Sequence, residues 1–438
     1  MKIVHLVGWY FPDSVGGTEV YVEGLCRRLR EAGHDILIAG PTTDSSRAGV
    51  RVHDHTPVFR YRIDGEPTRD EAYHRVPVRG ATALYDWLDA QRPDLIHVHS
   101  LTTGVGLPEI REARRRGIRV VATCHLPGLG FMCRTGELME HGRQPCDGIV
   151  DSARCAACTL TQLGLPRTAA AWVASFPAEA SAALTRFPGR IGTALGMRAS
   201  VREYAVMQRE LFDLVDAFVV LNDTARQMLI ANGSPAGKIV VNRLGLSQST
   251  TPAASRRSAS RPVRFAYVGR LHRSKGLIVL AEAIRSMSTA LEFHVEIRGP
   301  ALDGESRALR LELQSLLASD RRVTFAPPVA PSAIPSVLSD CDVLLCPSIS
   351  FENGPTVALE AHAVGTPVVG SRVGGLNELI RDGINGRLLT PGDATEWAVT
   401  LSEIAANPEA IVNEWRRHLV PPRTMDDIAR DYLSLYAA

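Results

Sequence analysis

The chain has 438 residues, 45% apolar and 22% charged, which is more than one ordinary core holds and suits two domains. Its 49 basic residues against 47 acidic ones leave a formal net charge of +2, so bulk charge points to no nucleic-acid partner. No run of about 18 apolar residues occurs, and no membrane-spanning helix is expected.

Residues 3–7 (IVHLV) form a short apolar run that reads as a buried parallel strand. A signal peptide can begin this way, but the run stops at Pro12 and Asp13 without a small-residue cleavage site, so a cytoplasmic chain is expected. A glycine-rich loop through Gly16 and Gly17 follows. Thr18 is placed to cap a helix carrying Val20, Tyr21, Leu25 and Leu29, which Gly33 stops. Residues 36–39 read as the next strand. The rhythm returns at 95–98, 107–116 and 118–123, and again at 217–221, 223–231 and 239–241. Strand–helix alternation of this kind implies a parallel sheet with helices on both faces.

Residues 126–215 break the rhythm and read as an insertion, first cysteine-containing and then Ala- and Arg-rich. Residues 247–262 (SQSTTPAASRRSASRP) lack apolar periodicity and read as a linker. Alternation then restarts with strands at 263–268, 293–298, 323–325, 343–346 and 367–370, and helices from 275 and at 305–318, 332–338 and 356–364. The fold class is therefore α/β, with two Rossmann-like doubly wound parallel-sheet domains, 1–246 and 263–420, facing a cleft at their strand C-termini. Segment 421–438 is an amphipathic helix bearing Ile428, Tyr432, Leu433 and Leu435, expected to cross back to the first domain.

Three loops of the second domain carry chemistry. Phe351-Glu352-Asn353-Gly354-Pro355-Thr356 follows a strand and opens a helix, with Pro355 suited to the first turn. Free amides and the helix dipole favour a phosphate there. Glu360, more than one turn in, is placed to accept hydrogen bonds from ribose hydroxyls, and Glu352 lies where a sugar would emerge. A capped helix with a solvated acidic loop is the bland alternative. Gly269-Arg270-Leu271-His272-Arg273-Ser274-Lys275-Gly276 sets Arg270 and Lys275 across a turn, where both can meet one diphosphate or simply face water. Gly370 to Glu378 supplies glycines for close backbone approach or for turns alone.

In this order the loops resemble those of the family-4 (group 1) retaining glycosyltransferases with the GT-B fold. The resemblance covers essentially the whole chain outside the insertion. It implies transfer of a sugar from a UDP- or GDP-sugar donor, with retention, to a glycan or lipid-linked acceptor in cell-envelope polysaccharide assembly. It assigns Arg270 and Lys275 to the diphosphate, Glu360 to the ribose and Glu352 to the sugar hydroxyls. It also places the amides of Asn353, Gly354, Pro355 and Thr356 near sugar and phosphate, and closes the Gly16-Gly17 loop over the diphosphate. Val121-Ala122-Thr123-Cys124-His125 resembles the family strand that ends in a sugar-facing histidine, so His125 is the active-site histidine. His97 and His99 read as structural. The class needs no catalytic metal, because Arg, Lys and a helix N-terminus supply positive charge.

Cys133, Cys146, Cys155 and Cys158 depart from the family core, with gaps of twelve, eight and two. Four thiolates at this spacing suit a structural zinc, with the sulfurs expected within about 4 Å of one another. Redox or iron–sulfur roles, or four free thiols, fit the same spacing. Arg186, Arg190, Arg198 and Arg202 are placed either for peripheral contact with anionic lipid or on an ordinary solvated face. Competing functions are another GT-B enzyme, such as a sugar-nucleotide epimerase, and a non-catalytic sugar-nucleotide-binding protein.

Overall fold

The structure is a computed structural model that describes residues 1–14, 16–125, 131–185, 187, 189–247, 258–259 and 261–438. It divides into two compact units. The first comprises Met1–Gly142, Cys146–Arg243 and Met425–Ala438; the second comprises Arg143–Pro145 and Leu244–Thr424. Ten residues of the expected linker, 248–257, and Ser260 lie outside the described residues, as does loop 126–130 after His125.

Unit 1 carries β1 (Lys2–Val7), β2 (Asp35–Thr42), β3 (Gly49–His53), β4 (Thr56–Arg62), β5 (Leu95–His99), β6 (Arg119–Thr123), β7 (Met139–Glu140), β9 (Ala217–Val220) and β10 (Ile239–Val241), while β8 (Gln144–Pro145) is counted with unit 2. Eight of these form one sheet in the order β10-β9-β6-β5-β1-β2-β4-β3. All pairings of the large sheet are parallel except β3 with β4. The central strands are the apolar runs noted above, buried on both faces by helices. Register sets His5 of β1 opposite His97 of β5, and His99 opposite Thr123 of β6. Side chains two apart share a sheet face, so His97 and His99 point the same way.

Helix Gly17–Glu31 buries Tyr21, Val22, Leu25, Cys26 and Leu29. Its N-cap is Gly16, with no side-chain cap bond, rather than the expected Thr18. The insertion is helical over Ser152–Gln162, Arg167–Ala174, Ala178–Leu184, Gly189–Leu195 and Met197–Leu214. Its small core of Ala156, Ala157, Leu160, Ala170, Ala174, Met197 and Val201 is dominated by alanine, which lets the helices approach closely. Helix Met425–Ala437 belongs to unit 1 and buries Ile428, Tyr432 and Tyr436 there.

Unit 2 carries β11 (Val263–Val268), β12 (Phe293–Arg298), β13 (Val323–Ala326), β14 (Val343–Cys346), β15 (Val368–Ser371) and β16 (Gly386–Leu389), all parallel, in the order β13-β12-β11-β14-β15-β16. Strand alternation splits the core. Val263, Phe265 and Tyr267 join Trp397, Leu401 and Leu280 on one face, while Ala266 and Val268 join Leu344, Ala358 and Leu376 on the other. Two helix layers therefore bury the sheet, and the loops after β11, β14 and β15 come together at its C-terminal edge.

Candidate active site

Within unit 2, β11 ends at Val268, and the chain makes one 3₁₀ turn, Arg273–Lys275, before helix Leu277–Ser286 begins. The α-helix thus starts two residues beyond Lys275. Gly276 sits at φ 70, where a Cβ would run into the Pro347 carbonyl, and Ser274 accepts the Ile349 amide at 2.9 Å. The turn is thereby pinned against the loop after β14. Lys275 Nζ reaches Glu352 Oε1 at 2.5 Å, and the Ser348 hydroxyl donates to the same oxygen at 2.6 Å. The two expected site residues Lys275 and Glu352 are therefore joined, with Glu352 buried. Arg270 is exposed at the end of β11, and its carbonyl accepts the Tyr267 hydroxyl at 2.7 Å.

The loop Gly374–Gly375 closes over Glu352 from the other side. Gly374 has φ 44, and a Cβ there would overlap the Glu352 carbonyl, which accepts the Gly375 amide at 2.8 Å. Only glycine permits this approach. Helix Thr356–Ala363 starts after Pro355, which occupies the N-cap position rather than the first helical turn. The helix has no side-chain cap, so its first amides and its dipole present positive character. Asn353, Gly354 and Pro355 are half-buried and Thr356 is exposed. Glu360 lies one turn in, half-buried, and burial holds its carboxyl above the usual range.

Within unit 1, His125 follows β6 and is buried; its ring meets Tyr21 edge-on at 4.8 Å. Its Nε2 lies 3.0 Å from Nδ1 of His99, whose Nε2 lies 2.8 Å from Nδ1 of His5. His97 is bonded instead to Thr123 at 2.7 Å and to the Tyr436 hydroxyl at 2.6 Å. Burial drives all four imidazoles well below their ordinary pKa, to about 3 for His5 and His125. Sequence reasoning took His99 as structural and missed this link, although the His-x-His pattern on a strand already set both rings on one face. Gly16 and Gly17 stand at the start of helix Gly17–Glu31, beside Glu19, which accepts the Ser14 hydroxyl at 2.6 Å.

The sulfurs of the cysteine cluster do not stand at the expected mutual spacing. Cys133, Cys146, Cys155 and Cys158 are half-buried and unbridged. Among the described residues, the set of ligand atoms that falls within 4.8 Å of one another is His5, His97 and His99, not the sulfurs. Each thiol has a neighbour of its own, and Cys133 is also near enough to Cys146, Cys155 and Cys158 to help push their thiols up. Cys158 accepts the His141 amide at 3.1 Å, and Cys133 lies 3.3 Å from the Thr135 hydroxyl. Of the four arginines placed for lipid, Arg186 lies outside the described residues. Arg198 turns inward to the carbonyls of Ser175 and Phe176 at 3.1 and 3.0 Å, past the end of helix Arg167–Ala174, and Arg202 pairs with Glu179. Arg190 is exposed.

Two Rossmann-like units with this loop set define a glycosyltransferase of GT-B architecture. Residues 16–245 match the model of the glycosyl transferase 4-like domain, and residues 262–407 that of glycosyl transferases group 1. The chain belongs to this family of glycosyltransferases. It is 28% identical to a D-inositol 3-phosphate glycosyltransferase of Arthrobacter sp. (strain FB24), over 90% of this chain and 83% of that one. It is also 28% identical to the putative colanic acid biosynthesis glycosyltransferase WcaL of Salmonella typhimurium, over 79% and 90% of the two chains. Among solved structures, sucrose-phosphate synthase from Thermosynechococcus elongatus shares the fold at TM-score 0.68 and 19% identity, covering 100% of this chain and 98% of that one. Alr3699/HepE of Anabaena, in complex with UDP and glucose, does so at TM-score 0.64 and 16% identity, covering 100% and 99%. Among the described residues no helix is long and apolar enough to cross a membrane.

Proposed function

We propose that the chain transfers a sugar from a nucleoside diphosphate donor to a glycan or lipid-linked acceptor with net retention, in envelope polysaccharide assembly at the cytoplasmic side. The observation that carries this reading is the joined set Lys275–Glu352–Ser348, closed by Gly374–Gly375. A cation and a helix N-terminus beside a buried carboxylate suit a diphosphate ester bonded to a polyhydroxylated ring. Glu360 takes the ribose, Arg270 and Lys275 the diphosphate, Glu352 the sugar hydroxyls, and His125 the sugar from unit 1. The complex of Alr3699/HepE with UDP and glucose supports a UDP-sugar as the first donor to test.

In the proposed reaction the anomeric carbon–oxygen bond to diphosphate breaks, and the acceptor oxygen bonds to the same face. The acceptor proton passes to the departing phosphate oxygen. Charge develops on the diphosphate, and preorganised Arg270, Lys275 and helix amides stabilise it without a bound metal. Peripheral membrane contact belongs to the same proposal. Leu163, Trp172, Phe187 and Ile191 of the insertion are exposed, and a groove of about 700 Å³ lined by Leu163, Leu165, Phe187 and Arg190 opens there.

The test is a panel of UDP- and GDP-sugars, with and without polyprenyl-phosphate-linked and glycan acceptors, read by nucleotide release and by the anomeric configuration of the product. Retained configuration is expected. Inverted product, an epimerised donor, or binding without turnover across the panel would reject the reading.

A further inference from the structure

Unit 1 holds a second cavity, which the proposed chemistry does not use. It opens between helix Met197–Leu214 of the insertion, the segment Tyr73–Arg75 and the start of helix Leu107–Arg115. Leu101, Leu107 and Leu211 line it and are buried, so its floor is apolar. Leu101 stands two residues beyond His99, which puts the cavity at the C-terminal edge of the sheet, where His125 also stands.

Around this floor, hydrogen-bond donors outnumber acceptors. Arg134 Nη1 donates to the Ser200 hydroxyl at 2.8 Å, and Arg75 Nη2 reaches the same oxygen at 3.5 Å. A hydroxyl that receives these bonds still has its own proton to give, and among the described residues nothing accepts it. Arg134 Nη2 and Arg75 Nε are buried and likewise meet no acceptor among the described residues. The nearby carboxylates are already committed, since Asp70, at 2.6 Å, and Glu203 both pair with Arg75. Arg134 has no carboxylate partner among the described residues and lies 4.7 Å over the Tyr73 ring. An aromatic face attracts the charge but takes no hydrogen bond of ordinary strength. Arg75 and Arg69 stand by the same ring at 5.7 and 5.8 Å, so three guanidiniums and two carboxylates meet around Tyr73. A cation half-buried above an apolar floor is poorly hydrated, which strengthens its attraction for an anion.

A separate observation points to the same place. His74 lines the cavity and is only 5% exposed, and its Nε2 has no partner among the described residues. Its backbone stands at φ 57, and Gly106 closes so tightly on the ring that a Cβ there would overlap Nδ1. A left-handed backbone at a non-glycine residue persists where surrounding contacts over-determine it, so the ring is fixed ahead of any ligand.

The idle donors of Arg75, Arg134 and Ser200 come from three separate segments. A planar carboxylate is met best by the two parallel N–H bonds of one guanidinium, whereas a tetrahedral oxyanion takes donors from several directions. We propose that Arg134, Ser200 and Arg75 bind a phosphate group, and that the acceptor bears it. Its place on the acceptor rests on the proposed glycosyl transfer, while the site stands on unit 1 alone. A phosphate there accepts the three idle protons and gives Arg134 a counterion. It has two possible sources, a lipid phosphate and a water-soluble sugar phosphate. Arg69, beside the Tyr73 ring, also lines the groove of Leu163 and Phe187, so the groove begins next to the site and suits the chain of a lipid phosphate.

The experiment is proton–nitrogen correlation NMR on the full chain labelled with ¹⁵N-arginine, read at Arg75 Nε, which reports this site and not the loops of unit 2. The titrants are inorganic phosphate and farnesyl phosphate, with farnesol and acetate as controls. A saturable shift is expected with both phosphates, and none with either control at the same concentrations. Arg134→Gln should weaken phosphate binding by about tenfold or more, with an unchanged thermal midpoint showing that it folds. Farnesyl phosphate bound about tenfold or more tighter than inorganic phosphate, with the excess lost in Phe187→Ser, identifies the lipid source. Equal binding of the two identifies the soluble one. No shift with either phosphate in wild type overturns the site even if no variant folds. So does acetate binding as tightly as phosphate, or phosphate binding unchanged in folded Arg134→Gln. Phosphate bound here by a chain that moves no sugar keeps the site and rejects the functional reading. Sugar transfer whose KM for a phosphorylated acceptor is unchanged in Arg134→Gln keeps that reading and rejects the acceptor role, so the two failures are distinct.

Discussion

Lys275 Nζ and Glu352 Oε1 lie 2.5 Å apart although 77 residues separate them, and the Ser348 hydroxyl shares the same carboxylate oxygen. The lysine side chain is 25% exposed and the glutamate 11%, so the pair is screened only in part by solvent. Lys275 therefore has its own counterion within unit 2, and binding a diphosphate means sharing the ammonium between two anions.

Replacing Lys275 tests that sharing. Lys275→Ala should weaken nucleoside diphosphate binding by about 1.5–3 kcal/mol, roughly ten- to hundredfold in Kd by calorimetry. Part of that loss comes from leaving Glu352 buried without its partner. The double variant Lys275→Met/Glu352→Gln should therefore be more stable than Lys275→Met alone, with a coupling of about 1–3 kcal/mol in a double-mutant cycle. Unchanged affinity in Lys275→Ala would remove Lys275 from the donor site.

Glu360 should read the ribose. In wild type, removing both ribose hydroxyls from the nucleotide should weaken binding by about 1–3 kcal/mol, and in Glu360→Gln most of that difference should vanish. A variant that still discriminates as well as wild type would assign Glu360 to the helix alone.

How much of this was open to sequence reading depended on the range of the interaction. The bounds of β11, β12 and β14 coincide with the expected ones, because β14 is a continuous apolar run, β11 nearly so, and β12 alternates apolar with polar residues at a strand's period of two. The β3–β4 hairpin was invisible for two physical reasons. Its edge strand is mostly exposed, and its turn uses Asp54 and His55 at φ 42 and 59 in place of the Asn-Gly or Asp-Gly that announces such a turn. Thr18 looked like a cap because Ser and Thr usually serve, but the chain enters the helix at Gly16. The loops that carry Lys275 and Glu352 were legible from their motifs. Their joining was not, since the Lys275–Glu352 bond depends on β11 lying beside β14. The His5–His99 and His99–His125 contacts likewise need the β1-β5-β6 order, which no local pattern encodes.

The thiols give a direct readout of the insertion. Cys133, Cys146, Cys155 and Cys158 are half-buried and Cys26, Cys124, Cys341 and Cys346 buried, so a disulfide reagent should titrate four thiols in the native chain and eight after denaturation. Cys155 should react slowest of the half-buried four, because burial pushes its thiol up to about 11. One equivalent of zinc by elemental analysis, with all four thiols blocked, would show instead that the sulfurs rearrange around a metal.

The exposed apolar residues of the insertion make a membrane prediction. The chain should float with anionic liposomes at low salt and release as salt rises, and Phe187→Ser with Arg190→Glu should cut the bound fraction several-fold. No flotation at low salt would leave the groove without a lipid role.

The buried histidines predict how unit 1 responds to acid, and the sign can be worked out. His5, His97, His99 and His125 have folded-state pKa values far below the ordinary 6.5, and His74 is lowered to about 4. As pH falls below 6.5 the unfolded chain takes up protons that the folded unit refuses, so stability fully present above 6.5 is lost on the way down. Each ring contributes about 1 kcal/mol of loss between pH 6.5 and 5.5. Glu109 works the other way. Burial raises its carboxyl to about 7, so the folded unit binds that proton first and gains about one ring's worth over the same window. The net expectation is a loss of roughly 3–4 kcal/mol, since carboxylates with depressed pKa titrate only at lower pH. Because two units need not unfold together, the measurement is hydrogen exchange of the β1 and β5 amides at pH 6.5 and 5.5, corrected for intrinsic rates. His99→Asn should shrink the change by about one ring's share, and protection equal at both pH values would mean that the five imidazoles accept protons in place.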